Sequence, residues 1–341
     1  MILVLNCGSQ SVKIKVFDKN LFQKRERKVL IFKKKDYSKI LKKELLELSK
    51  DFGEKIDLAG HRIVFGGENF KKPTKITPLV LKRLEPLNKF APLHNPFNIL
   101  GIKTAIKIFP KVKHYGVFDT EFFSSLPKHA FLYAIPEKVA KKFKYRRFGF
   151  HGLSHEYAGR EAARKIKKDF EKLKIITCHL GGGASITAIK NGRAIDTSMG
   201  FTPMEGLVMM TRSGDIDPGI VLDIAKHFSP EKAEEILNFN SGLKGICGKE
   251  SMLEILQQIK TGNKKAKLAL DIFVYRIKKY IGAYFTVLGG CDLLVFTGAI
   301  GFGSAKIRRM ICKDIPFLKG VKILAIKPNE ELQIARKITN K

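Results

Sequence analysis

The chain has 341 residues, 44% of them apolar, and carries a formal charge of +32 from 64 basic and 32 acidic side chains. That length exceeds what one hydrophobic core usually organises, so about two domains are expected, and the apolar share excludes a disordered chain. The charge admits anionic metabolites, membranes or nucleic acid as partners. The lysine-rich segments 24–43 and 164–174 come with no zinc-finger, RNP or helix-turn-helix pattern, so they read as solvated faces and no nucleic-acid partner is expected.

In chain order, the apolar run 2–5 and the alternating run 12–17 flank a Gly-Ser turn and predict a β-hairpin, with 28–32 as a third strand. A helix is expected over 37–51, where Ile40, Leu41, Leu45, Leu46 and Leu48 share a face. IDLAGHRIVFGG reads as a strand closed by glycines, followed by helices near 79–87 and 96–108 and by a strand, VKHYGVFD, ending at Asp119. LKIITCHL then predicts a strand, GGGAS a small-residue turn, and SITAIKNGRAIDT a hairpin turning at Asn191 and Gly192. Helices follow near 218–226, 230–237 and 268–288, then the strand DLLVFTGAIG running into a glycine loop, the strand KILAIK and a closing helix, NEELQIARKI. Strand, Gly/Ser turn, strand and helices thus occur twice, which predicts an α/β protein with related halves.

The apolar start lacks a basic lead region, and the apolar stretch 283–303 is broken by Asp292 and five glycines, so neither a secretory leader nor a membrane span is expected. The five cysteines are odd in number and form no Cys-x-x-Cys pair, as suits reduced thiols in the cytoplasm.

Three glycine loops, at 7–11, 181–185 and 298–304, each follow a strand. Such loops can aim several backbone N–H groups at phosphate oxygens. Three of them in a basic chain predict a phosphate-bearing ligand in an interdomain cleft. The P-loop pattern, a complete G-x-G-x-x-G and the kinase His-Arg-Asp loop are all missing from the sequence, so a different nucleotide fold is needed.

The motifs are specific when taken together. In order they are NCGSQSVK (6–13), GHRIVFGG (60–67), APLHNP (91–96), FDT (118–120), RFGFHG (147–152), HLGGGAS (179–185), DTSMGFTPMEG (196–206), TRSGDIDP (211–218) and PNEEL (328–332). On these residues nearly the whole chain resembles the acetokinase family, within the sugar-kinase and actin superfamily. The resemblance implies an α/β fold of two duplicated actin-like (ribonuclease H-like) domains with a central interdomain cleft. The domains would be 1–119 plus 328–341, and 120–327, the second carrying most of the nucleotide site.

The implied reaction is that of an acetate kinase: reversible, magnesium-dependent transfer of a phosphoryl group from ATP to acetate, giving acetyl phosphate and ADP by direct in-line attack. By resemblance Arg62 binds acetate, while Arg212 and His151 stabilise the transferring group and Asp119 is the active-site carboxylate. Guanidinium and imidazole suit these tasks because carboxylate and phosphoryl oxygens need charged or forked donors. The acyl methyl would sit among Val64, Leu93, Phe150 and Pro203, and propionate would be accepted less well. Nucleotide contacts would come from Lys13, from His179, Leu180, Gly181, Gly182 and Gly183, from Ser251, Met252 and Leu253, and from Ala299, Ile300, Gly301, Phe302 and Gly303. Magnesium, or manganese in its place, would be held by Asn6 and Glu330, few ligands being usual for an ion that also binds phosphates and water. Relatives are homodimers, and the same is expected here.

The departures from the family fall mostly on the nucleotide side. Gly182 stands for an Asn, Met210 for a Gly, Phe302 and Gly303 for Glu-Asn, and Ser251 and Leu253 for an Asp and an Arg; Gln10, Phe65, Phe123 and Leu153 also differ. The chain is shorter than its relatives, with losses between Lys13 and Arg62 and after Gly303. Two alternatives therefore stay open: an acetate or propionate kinase with a broad or pyrophosphate donor range, and a non-catalytic basic binding protein derived from the kinase. Butyrate kinase shares the HLGGG loop, but DTSMGFTPMEG and TRSGDIDP argue against it.

Overall fold

The computed structural model describes residues 1–9, 11–31, 33–92 and 94–339. Of the positions singled out above, Gln10, Phe32 and the acyl-pocket candidate Leu93 lie outside them. The chain forms two compact units. The first comprises Met1–Ser124, His151–Leu153 and Asn329–Lys341; the second comprises Ser125–Phe150 and Ser154–Pro328.

The first unit is built on strands β1 (Ile2–Cys7), β2 (Ser11–Phe17), β3 (Gln23–Leu30), β4 (Leu58–Ile63), β5 (Thr74–Lys75) and β6 (Lys113–Phe118), in the sheet order β3-β2-β1-β4-β6-β5. β1 is buried along its whole length, as its unbroken apolar run requires of a central strand. It pairs antiparallel with β2 and parallel with β4, and β4 pairs parallel with β6. The third strand therefore starts well before position 28: the charged stretch QKRERKVL pairs with β2, its edge position letting its charged side chains reach water. On one face, the helix Tyr37–Phe52 buries Tyr37, Leu41, Leu45 and Leu48 against β1 and β2. On another side, Ile334, Ala335 and Ile338 of the helix Glu330–Thr339 pack with Ile2, Val4 and Val117. Gly60 in β4 leaves the space that Ile334 occupies.

The second unit repeats the plan with β7 (Lys174–Leu180), β8 (Ala184–Lys190), β9 (Arg193–Thr197), β10 (Leu293–Thr297) and β11 (Lys322–Ala325), ordered β11-β10-β7-β8-β9. β7 to β9 form an antiparallel meander, and β10 and β11 extend it in parallel, matching β1 to β4 and β6 of the first unit. The β8–β9 turn has Asn191 at φ 52° and Gly192 at φ 73°, the left-handed pair a tight hairpin needs. The helix Lys264–Leu288 is capped by the Asn263 side chain and closed by Gly289 at φ 63°. The glycine stretch after β10 is not an open loop: Gly298–Gly303 makes a short helix.

Candidate active site

In the first unit the site grows from the carboxyl ends of the parallel strands, where open α/β sheets present ligand-binding groups. Asn6 lies near the end of β1, Arg62 in β4 and Asp119 directly after β6. The Arg62 guanidinium grips Asp119 through Nε, 3.1 Å from Oδ1, and through Nη2, 2.6 Å from Oδ2. Its Nη1 lies 3.0 Å from Glu330 Oε2 and 3.3 Å from Asn6 Oδ1. Asn6 in turn donates its amide to Glu331 Oε1 at 2.9 Å, and Lys15 lies 3.5 Å from Glu331 Oε2 and donates to Asn329 at 3.0 Å. Asp119 is 1% exposed. Burial pushes its carboxyl above the usual range against the pull of Arg62, with the charge of Glu330 adding to the rise. Burial alone would lower Arg62, but Asp119 and Glu330 outweigh it and hold the guanidinium above its ordinary value.

The loops at these strand ends are pinned by polar side chains. Asn98 accepts from the Val64 N–H at 3.0 Å and donates to the Cys7 carbonyl at 2.6 Å, tying the ends of β1 and β4 together. Asn95 brackets Phe65 through both its backbone groups, and the Thr120 hydroxyl accepts from the Gly66 N–H. His151 adopts a left-handed backbone, φ 59°, a conformation in which side-chain-bearing residues are uncommon and which often marks functional positions. The next residue, Gly152, donates its N–H to the Asp119 carbonyl at 3.1 Å, and a Cβ on it would collide with that oxygen.

In the second unit the two glycine segments meet at the ends of β7 and β10. A Cβ on Gly181 would lie 3.9 Å from the Ala299 nitrogen, and Gly298, at φ 81°, packs directly on the Leu180 backbone. His179 takes a hydrogen bond between its Nδ1 and the Ser154 hydroxyl at 2.7 Å. Beneath it His155 is bonded to Thr177 and Ser185, both at 2.7 Å, and burial, then the nearby His179, hold its pKa well below the usual value. Met252 is buried, whereas Leu253 is 74% exposed and Phe302 40% exposed.

Arg212 differs from Arg62 in kind. Its Nη1 donates to the Pro203 carbonyl at 3.3 Å and approaches Met209 Sδ at 3.8 Å, and no carboxylate pairs with it among the described residues. Burial lowers its pKa. A half-buried cation facing a carbonyl and a thioether is set up to take an anion.

The structure therefore brings Asn6, Arg62, Asp119 and Glu330 together in the first unit, which also holds Lys13, Val64 and His151. Phe150, Pro203, Arg212 and the remaining nucleotide candidates belong to the second. Sequence reasoning missed Lys15, Asn95, Asn98, Thr120 and Glu331. Asn95, Thr120 and Glu331 lie inside the quoted motifs; a lysine in an alternating strand gives no such signal. Among the described residues no three His, Cys, Asp or Glu are grouped to hold a metal by themselves. The oxygens of Asn6, Glu330 and Glu331 are hard donors gathered at one place, so they fit a cation completed by phosphate and water. The thiols of Cys7, Cys291 and Cys312 are raised by burial to about 12, 11 and 11, which suits inert side chains.

A model of the acetokinase family matches residues 21–338. The acetate kinase of Dictyoglomus thermophilum is 41% identical over an alignment of 389 positions covering 98% of this chain and 97% of that protein. That alignment is longer than the chain, so the relative has segments that this one lacks. The crystal structure of Porphyromonas gingivalis acetate kinase matches with a TM-score of 0.90 at 35% identity, covering 99% of this chain and 98% of that one. A propionate kinase from Francisella tularensis matches with a TM-score of 0.89 at 36% identity, covering 99% of each chain. With its two mixed sheets of matching strand order, the fold is actin-like, and the chain belongs to the acetokinase family.

Proposed function

We propose that the protein catalyses reversible phosphoryl transfer between ATP and acetate, and that its two units act as the two domains expected over 1–119 plus 328–341 and 120–327. The observation that carries this is the contrast between the arginines: Arg62 is saturated by Asp119 and Glu330, while Arg212 is half-buried without a countercharge among the described residues. An acetate carboxylate would take the Nη1 edge of Arg62, displacing Glu330. One acetate oxygen attacks the terminal phosphorus in line as the bond to the leaving ADP oxygen breaks; acetate is already a carboxylate, so no proton need move. Arg212 and His151 donate to the oxygens of the transferring group, where fixed donors count most. Asp119 holds the Arg62 fork in place. Val64, Phe150 and Pro203, with Leu93, wall the methyl group.

Magnesium, or manganese, would be held by Asn6 and Glu330 and would neutralise phosphate charge when bound. The segments 181–183 and 298–303, with Lys13 and His179, would cradle the phosphates. The exposed Leu253 and Phe302 offer the base a flat apolar surface in place of charged partners. This favours ATP with loose base preference, and it gives a pyrophosphate donor as the second reading. A hydroxylamine trap for acyl phosphate, run with acetate, Mg²⁺ and a donor panel, tests both. Product with ATP supports the proposal, product with pyrophosphate alone selects the second reading, and none with any donor favours the non-catalytic binding protein.

We infer a homodimer in the cytoplasm. Ile216, Ile220, Leu222 and Phe228 are exposed in or beside the helix Pro218–His227, which buries none of its residues within the chain. A monomeric mass by light scattering would overturn this. No helix among the described residues is long and apolar enough to cross a membrane.

A further inference from the structure

Pro203 stands at the crest of an irregular arch, residues 198–206, between β9 and the TRSGDIDP segment. Its ends are fixed through their backbone groups. The Ser198 N–H donates to the Ile186 carbonyl at 2.9 Å, the Gly200 carbonyl takes the N–H groups of Phe148 and Gly149, and the Gly206 N–H donates to Asp215 Oδ1 at 2.8 Å. Asp215 is itself held by the Tyr280 hydroxyl at 2.6 Å. The crest has no such ties. Pro203 lacks an N–H, and among the described residues the Met204 N–H reaches only the local Thr202 hydroxyl at 3.3 Å.

What secures the crest is a group of side chains. The Tyr133 hydroxyl donates to Glu205 Oε2 and accepts from the Phe201 N–H at 2.8 Å, so one phenol grips both sides of Pro203. Arg147 donates Nη2 to Glu205 Oε1 at 2.5 Å, Nη1 to the Ser198 carbonyl at 3.1 Å and Nε to the Ala130 carbonyl at 3.3 Å. A Cβ on Gly200 would collide with both Glu205 and Tyr133, so the glycine is what admits the pair. Arg147 lies three residues before Phe150, and the Pro203 carbonyl accepts from Arg212. The two walls of the acyl pocket in this unit and the Arg212 guanidinium therefore share one support.

We propose that Tyr133, Arg147 and Glu205 form a clamp that sets the position of Pro203, and through its carbonyl that of Arg212, and so determines acyl-chain selectivity. They are positioning residues. The inference rests on the reading of Phe150 and Pro203 as pocket walls. With the clamp intact the crest keeps one height and the pocket admits one chain length best; with it loosened, Pro203 can recede and a longer acid fits.

The test compares kcat and KM for acetate, propionate and ATP in the full-length protein and in Glu205→Gln, Tyr133→Phe and Arg147→Lys. Glu205→Gln is expected to lower kcat/KM for acetate at least tenfold, mostly through KM. The acetate-to-propionate ratio should fall threefold or more, while KM for ATP stays within twofold. Tyr133→Phe should move the ratio the same way by less, and the double variant should lose less than the product of the single losses. Equal losses on both acids with unchanged KM values would mean only that less protein is folded, and would overturn the proposal. Should Glu205→Gln not fold, Tyr133→Phe, which removes a single hydroxyl, decides by the same ratio. If the unaltered protein makes no acyl phosphate from either acid, the functional reading fails first, a result distinct from an unchanged ratio.

Discussion

Arg62 lies in one of two neighbouring parallel strands and Asp119 directly after the other, and they meet through one edge of the guanidinium, with Nη2 2.6 Å from Oδ2 and Nε 3.1 Å from Oδ1. This fork fixes the direction of the arginine before any substrate arrives. Asp119 is buried and Arg62 only partly exposed, so losing the guanidinium leaves a carboxylate that water hardly reaches.

Replacing Arg62 by Gln should therefore cost both activity and stability. Asp119 and Glu330 would be left facing each other, and breaking a buried pair from one side typically costs about 3–5 kcal/mol. Urea unfolding of Arg62→Gln reads this directly; a midpoint equal to that of the unaltered protein would contradict it.

Arg212→Gln should behave in the opposite sense. Removal of a half-buried cation with no carboxylate partner among the described residues relieves desolvation, so stability should hold or rise, while kcat falls by roughly 10²–10³ as expected for loss of one transition-state donor. A large drop in melting temperature would show that Arg212 has a structural partner instead.

Stability should fall as the solution is acidified below neutrality. His61 Nε2 lies 2.9 Å from His114 Nδ1, and His114 Nε2 donates to the Phe109 carbonyl, so His114 Nδ1 accepts and His61 donates. Burial holds His61, His114 and His155 below their ordinary values. The unfolded chain thus takes up protons near pH 6.5 that the folded one refuses, and stability is lost from there downward, by up to about 1.4 kcal/mol per pH unit for each proton. Asp119 acts the other way, since its raised pKa makes the folded state the better acceptor. Urea midpoints between pH 7.5 and 5 that stay flat would refute the net direction, and His155→Gln should shallow the slope.

Leu253→Arg and Gly182→Asn should tighten nucleotide binding at little cost in stability. Leu253 is exposed, and a Cβ on Gly182 meets nothing within 4 Å, so surface substitutions of this kind usually stay within about 0.5 kcal/mol. Discrimination between ATP and GTP should rise in the double variant; an unchanged ratio would place the base elsewhere.

The duplicated architecture was legible because unbroken apolar strands, alternating strands and an Asn-Gly turn each carry their own period. The edge strand Gln23–Leu30 was misplaced because charged side chains at a sheet edge erase that period. The glycine segment after β10 was expected as a loop yet turned out helical, since three glycines in six residues mask a helix. Lys15, Asn98 and the Arg147–Glu205–Tyr133 contacts were not readable, because a tertiary hydrogen bond between distant residues leaves no local trace.

The helix Glu330–Thr339 supplies Ile334 and Ile338 to a core otherwise made by the opening sheet and Leu153, and brings Glu330 to Arg62. During translation the whole second unit leaves the ribosome before that helix does. The opening sheet must therefore wait with an apolar face uncovered, and a chain released early would lack both a finished core and a carboxylate of the site. Order of synthesis thereby doubles as a check that only completed molecules acquire the chemistry.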